Sequence, residues 1–255
     1  MKAVGGGLMP ETIKTFDVPD AVSALLVPGR KKSAFSMPGD ALLIDPARGI
    51  LAVADGSERN PAASSAFLTR FALLAEDLNF LNDNAPLSSP DFERIAGKAN
   101  DLVRDTTYHE NTTFSAFIGN HEGGAILHTG DSLIFLLHRR NGNITQLSRS
   151  HHLMVGRAPR LSQAEMISVR KGDLVLLATD GLTDLARCHG LLLEPFLRAH
   201  VRSRNPQGIV GDLRTCIGSI DVAMDDIGCI AADPSRLRDA SRADGEKVIL
   251  GWGRR

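Results

Sequence analysis

The chain carries short runs of apolar residues bounded by turn-forming residues, which is the pattern of strands buried in a sheet. Two runs, residues 41–45 and 49–55, flank the turn 46–49 and predict a hairpin. Further strands are predicted at 174–179 and 227–232. Between these lie four runs separated by turn sequences, which predict an antiparallel meander. The runs of the meander are 112–119, 124–130, 132–139 and 143–148.

Helical spacing of apolar residues begins after Asn60, which precedes a proline and predicts a capped helix start. A second helix is predicted to open at Ser89, which also precedes a proline. Two more helices are predicted near 190–203 and over 206–219, the latter capped by Asn205. The inner faces of the first two helices are predicted to carry Phe67, Phe71, Leu74, Leu78 and Leu81, and Ile95, Ala99, Leu102 and Val103.

Strands and helix pairs alternate in blocks along the chain, an order typical of sheets packed on each other with helices outside. The sequence shows no internal repeat and no linker. Residues 1–255 are therefore predicted to form one domain, with a compact part at about 20–232 and a polar tail at 233–255. The stretch VILGW in this tail is expected to be either an edge strand or without order.

Composition and charge narrow the classes of function. A hydrophobic content of 43% and a charged content of 23% are typical of soluble globular proteins. The net charge of −1 gives no strong field for nucleic acid or an anionic membrane, so neither partner is expected. No apolar stretch approaches the ~20 residues of a membrane span or resembles a signal peptide. With three cysteines and no close pair, a cytoplasmic protein with reduced thiols is expected.

Five aspartates abut predicted strands: Asp40, Asp55, Asp131, Asp180 and Asp225. Carboxylates at the ends of neighbouring strands converge, because the sheet fixes their spacing. Carboxylate oxygens are the ligands that Mg²⁺ and Mn²⁺ prefer. The glycine after Asp55 is expected to allow an unusual backbone angle and a close approach of its carbonyl to an ion. Taken singly, each Asp-Gly pair is more often a plain turn, so the set and its order carry the prediction.

The chain, with its strand-end acids in this order, resembles the metal-dependent protein phosphatase 2C family of Ser/Thr phosphatases. The matching stretches are GDALLID, LAVADG, NTTFSAFI, HTGDSLIFLLHR, LVLLATDGLTDL and DDIGCIAA, which span residues 40 to 232. The resemblance implies an α+β fold, a four-layer α-β-β-α sandwich with two central antiparallel β-sheets. It also implies hydrolysis of phosphoserine and phosphothreonine with two or three Mg²⁺ or Mn²⁺ ions.

The resemblance also assigns roles to individual residues. Asp55 corresponds to the carboxylate that bridges two metals, and Gly56 would supply its backbone oxygen. Asp180 and Asp225 correspond to further ligands of the second metal, with Asp225 rather than the adjacent Asp226 in the matching position. Asp131 corresponds to a ligand of a third, weaker site, and Asp40 to the catalytic acid that orients metal-bound water. Such ions lower the pKa of a bridging water and clamp the attacking and leaving oxygens.

Three departures from the family pattern concern the substrate side. The family's phosphate-binding arginine falls on Phe35, with Arg30, Lys31 and Lys32 as the nearest basic residues and Arg59 as a weaker alternative. The stretch after Gly56 lacks the family's histidine.

The flap subdomain is reduced to about fifteen residues, and the family's D-H-S is replaced by SHH. Because adjacent histidines on a strand would point to opposite faces, His151 and His152 are not expected to be ligands. The substrate-binding residues are thus unknown from the sequence.

Two hypotheses of function follow. The first is an active protein-serine/threonine phosphatase with a phosphoprotein substrate and a cognate Ser/Thr kinase as a further partner. The second is a catalytically silent phosphatase-fold scaffold that binds phosphoproteins or partner proteins. The retained carboxylates favour the first, because like charges held close together are costly without a cation. The missing arginine and the shortened flap favour the second.

Overall fold

The strands are short, and those inside the sheets are mostly apolar and buried. The computed structural model describes residues 13–29, 38–57, 60–78, 81, 86–120, 123–220, 224–237 and 247–252. Within these residues the strands are Lys14–Val18 (β1), Val22–Val27 (β2), Asp40–Asp45 (β3), Ile50–Asp55 (β4), Phe114–Asn120 (β5), Gly123–Thr129 (β6), Leu133–Leu137 (β7), Ile144–Gln146 (β8), Gln163–Ile167 (β9), Leu174–Ala178 (β10), Ile227–Ala232 (β11) and Val248–Gly251 (β12).

These strands form two six-stranded sheets in which every pairing is antiparallel. The first sheet has the order β1-β2-β11-β10-β7-β8, and the second has the order β12-β3-β4-β5-β6-β9. The predicted hairpin of β3 and β4 is confirmed, and its register places Asp40 opposite Asp55. Gly49 closes the hairpin turn with a φ of 65°, a conformation that favours glycine.

Five α-helices lie in the described residues: Ala63–Glu76 (α1), Ser89–Arg104 (α2), Gly181–Cys188 (α3), Leu193–His200 (α4) and Pro206–Gly218 (α5). The cap predicted at Asn205 is confirmed, because its side chain accepts a hydrogen bond from the Gly208 N–H at 2.7 Å. The cap predicted at Asn60 is wrong, since α1 begins three residues later and the Asn60 amide donates to the His109 carbonyl instead.

Three apolar layers separate four layers of secondary structure. One layer packs α3, α4 and α5 on the first sheet, and another packs α1 and α2 on the second sheet. The third layer lies between the two sheets, where Leu26 and Val175 of the first sheet share a cluster with Leu42, Val53 and Phe117 of the second. Because strands such as β7 and β10 face apolar neighbours on both sides, their residues are apolar without interruption. The predicted α+β, four-layer α-β-β-α sandwich is confirmed.

The predicted meander is wrong in one respect, because its four strands are divided between the sheets. Strands β5 and β6 pair in the second sheet, whereas β7 and β8 pair in the first. The chain crosses from one sheet to the other at Gly130, whose φ of 107° is strained for other residues. Turn residues between two apolar runs mark a reversal but do not tell whether the next strand pairs with the previous one.

Several elements were not predicted from the sequence: β1, β2, β9 and α3. Strand β2 is an inner strand of the first sheet, between β1 and β11, and all six of its residues are buried. Strand β12 is an edge strand beside β3, which resolves the alternative left open for VILGW. Strands β1 and β12 extend the sheets beyond residues 20–232 at both ends. No helix among the described residues is long and apolar enough to cross a membrane.

Candidate metal centre

Asp40 lies buried where the two sheets meet. Asp40 is 1% exposed, and it lies opposite Asp55 in the register of β3 and β4. The Thr179 hydroxyl, which follows β10 in the other sheet, donates a hydrogen bond to Asp40 Oδ2 at 2.7 Å. Thr179 is itself held by Gly228 of β11, through hydrogen bonds in both directions at 2.9 Å. The acid is therefore fixed by both sheets.

Four carboxylates gather around this point. Burial raises the pKa of Asp40 well above its usual value, and the negative charges of Asp55, Asp226 and Asp180 raise it further, against the hydrogen bond from Thr179. The structure thus brings together Asp40, Asp55 and Asp180 of the predicted set, and adds Asp226. Like charges in a buried place are costly unless a cation or a proton neutralises them. The donor set consists of hard oxygens and fits a divalent cation such as Mg²⁺ or Mn²⁺.

Gly39 brings the Asp55 carboxylate and the Gly56 carbonyl close together. The Gly56 N–H donates to the Gly39 carbonyl at 2.9 Å. A Cβ on Gly39 would overlap the Gly56 carbonyl oxygen and would lie 3.4 Å from Asp55 Oδ1, so both oxygens lie within 3.4 Å of one point. The expected unusual backbone angle at Gly56 is wrong, because it is not among the described glycines with positive φ. Glycine is needed there because a Cβ would lie 2.7 Å from the Pro61 carbonyl oxygen.

Two threonines ahead of β5 hold Asp55. The Thr112 hydroxyl and the Thr113 N–H both donate to the Asp55 carbonyl, at 2.7 and 2.9 Å, and the Asp55 N–H donates to the Thr113 hydroxyl at 2.8 Å. The Thr113 hydroxyl also lies 2.7 Å from the hydroxyl of Ser132. Because Ser132 follows Asp131, this contact joins the strand ends that carry Asp55 and Asp131. Sequence reasoning missed these threonines, although the polar triplet NTT before an apolar strand is a usable signal.

Asp131 lies at the crossing between the sheets and not within the group around Asp40. Burial raises the pKa of Asp131, against the opposing effect of its own backbone N–H and of the nearby His152. Among the described residues, none donates a hydrogen bond to its buried Oδ1 atom. A buried carboxylate oxygen without a donor fits a cation ligand. The structure therefore places Asp131 at a separate position that is compatible with the predicted third site.

The two adjacent acids before β11 differ in their surroundings. Asp225 is half-buried, and its Oδ1 accepts the Asp226 N–H at 2.9 Å. Asp226 is 2% exposed, and its two oxygens accept the N–H groups of Gly29 and Gly39 at 2.6 and 2.7 Å. The carboxylate of Asp226 is therefore engaged by backbone, and the ligand role of Asp225 stays a prediction.

The acids do not form a closed ion cage in the described part of the chain, where no group of three or more His, Cys, Asp or Glu side chains is arranged to hold a metal. Instead, the carboxylates around Asp40 and the Gly56 carbonyl lie near one another at the ends of strands from both sheets. Three interpretations lie outside the described residues, namely those of Phe35, of the basic stretch 30–32 and of Arg59.

The short segment that replaces the flap lies beside Gly56. Thr112 forms bridge pairs with Gly56 on one side and with Val155 on the other. Residues 151–152 are not in a strand, so the opposite-face reasoning about the two histidines does not apply. The His151 N–H donates to the Gly130 carbonyl at 2.7 Å, and its ring accepts the Leu153 N–H at 3.1 Å.

Comparison with known families identifies residues 50–234 with the model of the stage II sporulation protein E family, SpoIIE. This range covers most of the chain and includes four of the predicted ligand aspartates. No curated protein matches the chain.

Solved structures with the same fold include a bacterial serine phosphatase and a serine/threonine phosphatase. A bacterial serine phosphatase superposes with a TM-score of 0.65 at 16% identity, covering 89% of this chain and 99% of that one. RsbX in complex with magnesium gives a TM-score of 0.58 at 18% identity, covering 86% and 98%. The catalytic domain of the serine/threonine phosphatase PstP with two manganese ions gives a TM-score of 0.57 at 16% identity, covering 84% and 98%.

Proposed function

Because this chain belongs to the SpoIIE family and has the fold of phosphatase 2C-type enzymes, we propose that it is a metal-dependent phosphoprotein phosphatase that hydrolyses phosphoserine and phosphothreonine. The observation that carries the proposal is that the buried Asp40 has the half-buried Asp55 and Asp180 as charged neighbours at the meeting point of both sheets. A binding scaffold gains nothing from carboxylates that repel one another, whereas a cation site requires them.

The proposal assigns each oxygen donor a task. Asp55, Gly56, Asp180 and Asp225 would hold two Mg²⁺ or Mn²⁺ ions, and Asp131 would contribute to a third. When bound, such ions activate water at neutral pH and neutralise charge on the transferred phosphoryl group. The ions bound to RsbX and PstP support this choice of metal.

Asp40 has a different task, because it is fully buried and already accepts a hydrogen bond from Thr179. The Thr179 hydroxyl fixes Asp40 Oδ2 and so fixes the direction of Oδ1. Burial and the neighbouring carboxylates raise the pKa of Asp40, so this acid holds a proton more readily than an exposed aspartate. An acid held in this way orients a water molecule by hydrogen bonding without leaving its place.

The substrate would be a phosphoprotein, and a Ser/Thr kinase that makes this phosphoprotein would be the functional counterpart. Nucleic acid is not an expected partner at a net charge of −1. The cytoplasmic location expected from the sequence stays a prediction.

Phosphate release from a phosphoserine peptide, measured with Mn²⁺ and after chelation, tests the proposal. We expect Mn²⁺-dependent turnover in the wild type and none in Asp55→Asn, since the substitution removes a bridging charge. Asp45→Asn is the control and should keep the wild-type activity, because Asp45 is a buried aspartate at the other end of the same hairpin, opposite Ile50, and pairs with Arg48. A variant at Asp55 that keeps about a tenth of the wild-type activity would contradict the bridging role. A wild type that binds the peptide without turnover would favour the silent scaffold.

A further inference from the structure

Asp226 lies among the acids of the candidate centre, yet its two oxygens are engaged by backbone. We infer that Asp226 is a positioning residue: its carboxylate holds the Gly39 N–H, and Gly39 in turn holds Gly56, so that the Gly56 carbonyl stays in place for a cation. The inference rests on the proposed function for the role of Gly56. It assigns Asp226 a task for which the sequence pattern had no candidate.

The contacts of Asp226 connect the two sheets. Its Oδ1 accepts the N–H of Gly29, which follows β2 of the first sheet, at 2.6 Å. Its Oδ2 accepts the N–H of Gly39, which precedes β3 of the second sheet, at 2.7 Å. Asp226 itself directly precedes β11, and it is 2% exposed. Charge-assisted hydrogen bonds in such a buried place are stronger than neutral ones, so this carboxylate fixes where β2 and β3 meet.

Gly39 in turn restricts the position of Gly56. Its carbonyl accepts the Gly56 N–H at 2.9 Å and also the Ser64 hydroxyl. Gly39 lies so close to the Gly56 carbonyl oxygen that a Cβ on Gly39 would overlap it. A shift of Gly39 therefore moves the Gly56 carbonyl. Mg²⁺ demands near-ideal octahedral geometry, so a small shift of one donor lowers its affinity.

The two backbone donors explain why a carboxylate is needed at this position. A carboxylate offers two acceptor oxygens, whereas the asparagine side chain offers one acceptor oxygen and one NH₂ group. In Asp226→Asn, one of the N–H groups of Gly29 and Gly39 would face the NH₂ group and lose its acceptor. The isosteric substitution should therefore release one end of the link while leaving the packing volume almost unchanged.

The experiment compares Asp226→Asn with Asp173→Asn. Asp173 is the control because it is 4% exposed and its two oxygens also accept two backbone N–H groups, those of Arg139 and Arg170, at 3.3 Å each, besides a contact of 3.2 Å with the His138 ring. It lies before β10, at the opposite end of that strand from Thr179 and Asp180. In metal-free protein, we expect faster amide exchange at Gly29 or Gly39 and at Gly56 in Asp226→Asn only. Its Mn²⁺ affinity should fall about 10- to 100-fold, while that of Asp173→Asn stays at the wild-type value.

The exchange measurement separates positioning from a simple loss of charge. Lower Mn²⁺ affinity with unchanged amide exchange at Gly29, Gly39 and Gly56 would mean that Asp226 acts only through its charge, and the inference would be wrong. Unchanged affinity would overturn it as well. Gly39→Ala is the second variant, because its Cβ displaces the Gly56 carbonyl while Asp226 is intact. It should lower Mn²⁺ affinity by a similar factor, and wild-type affinity in this variant would also overturn the inference.

Failure of the proposed function would look different. A wild-type protein that binds no Mn²⁺ would overturn the metal-dependent function and the cation role of Gly56. The exchange of the Gly29 and Gly39 amides would still show whether Asp226 holds the two glycines together.

Discussion

At the scale of single residues, His128 is the clearest case of a polar group fixed by its surroundings. It is fully buried between the sheets, in a strand that the sequence predicts as apolar. Its Nδ1 lies 2.7 Å from the Ser115 hydroxyl, and its Nε2 lies 3.0 Å from the Arg149 carbonyl. A neutral ring satisfies both contacts, since Nε2–H donates to the carbonyl and Nδ1 accepts from the hydroxyl.

Burial lowers the pKa of His128 to about 4, against the opposing effect of the Arg149 and Gly130 carbonyls and with a smaller contribution from the neighbouring His151. Since the unfolded chain takes up this proton near pH 6.5 and the folded protein does so only near pH 4, the free energy of unfolding should decrease as pH falls through this window.

Denaturant unfolding at pH 7.5 and pH 5 tests this prediction. The contribution of His128 should be about 2 kcal/mol smaller at pH 5. His128→Gln should be less stable at pH 7.5 but should lose less stability on acidification. The exposed His109 provides the control, and His109→Gln should keep the wild-type pH dependence. Equal pH dependence in all three proteins would show that His128 takes up its proton in the folded state as readily as in the unfolded chain.

At the scale of elements, the ends of helices and strands meet through close backbone contacts. Helix α3 begins at Gly181, directly after Asp180, and a Cβ on Gly181 would overlap the Asp226 carbonyl oxygen and lie 2.8 Å from its carbon. The obstacle is backbone and cannot rotate away. The glycine is therefore required for α3 to begin beside β11, and this arrangement places Asp180 near Asp40.

Alanine substitutions at two helical glycines should have opposite effects on stability. Gly181→Ala should lower the free energy of unfolding by several kcal/mol, since overpacking against rigid backbone forces an element to move. Gly97→Ala in α2 meets nothing within 4 Å and should raise it by about 1 kcal/mol, the difference in helix propensity. Urea denaturation of both variants measures the effect. A neutral Gly181→Ala would show that α3 can shift without cost.

At the scale of the whole molecule, the side chain of Lys14 joins the edges of the two sheets, whereas mutually repelling acids meet at the candidate metal centre. Lys14 of β1 donates to the Gly251 carbonyl of β12 at 2.6 Å, and its ammonium group lies 4.2 Å from the centre of the Trp252 ring. At the candidate centre, Asp40, Asp55, Asp180 and Asp226 repel one another instead. Folding must therefore bear an electrostatic cost that a bound cation would remove.

A bound cation should therefore stabilise the whole fold. At free Mn²⁺ about 100 times its dissociation constant, the free energy of unfolding of the wild type should rise by about 2.7 kcal/mol. Asp55→Asn should be more stable than the wild type in chelator, because one of four clustered charges is gone, and should gain little from Mn²⁺. Denaturation with and without Mn²⁺ gives both quantities. An equal gain in both proteins would place the stabilising ion elsewhere.

The sequence by itself determined the architecture and most of the acidic set. Uniform apolar runs mark strands that are buried on both faces, and this signal needs no tertiary contact. Asp40 and Asp55 could be placed together because Asp40 begins the first strand of a hairpin with a short turn and Asp55 ends the second. Both therefore lie at the open end of the hairpin. The order of the strand-end acids indicated the family, and the family implied the four-layer fold.

Only the tertiary structure decided which sheet each strand joins and which residues support the acids. The predicted meander is divided at Gly130 because of packing between the sheets. The order of apolar runs and turns within one segment of the chain does not indicate this division. Thr179 and Asp226 come from distant parts of the chain, and their hydrogen bonds to Asp40 and Gly39 arise only after both sheets have assembled. The spacing of apolar residues along the chain indicates which side chains are buried. Which buried carboxylate accepts the N–H of a given residue depends on contacts between distant segments, so it follows only from the three-dimensional structure.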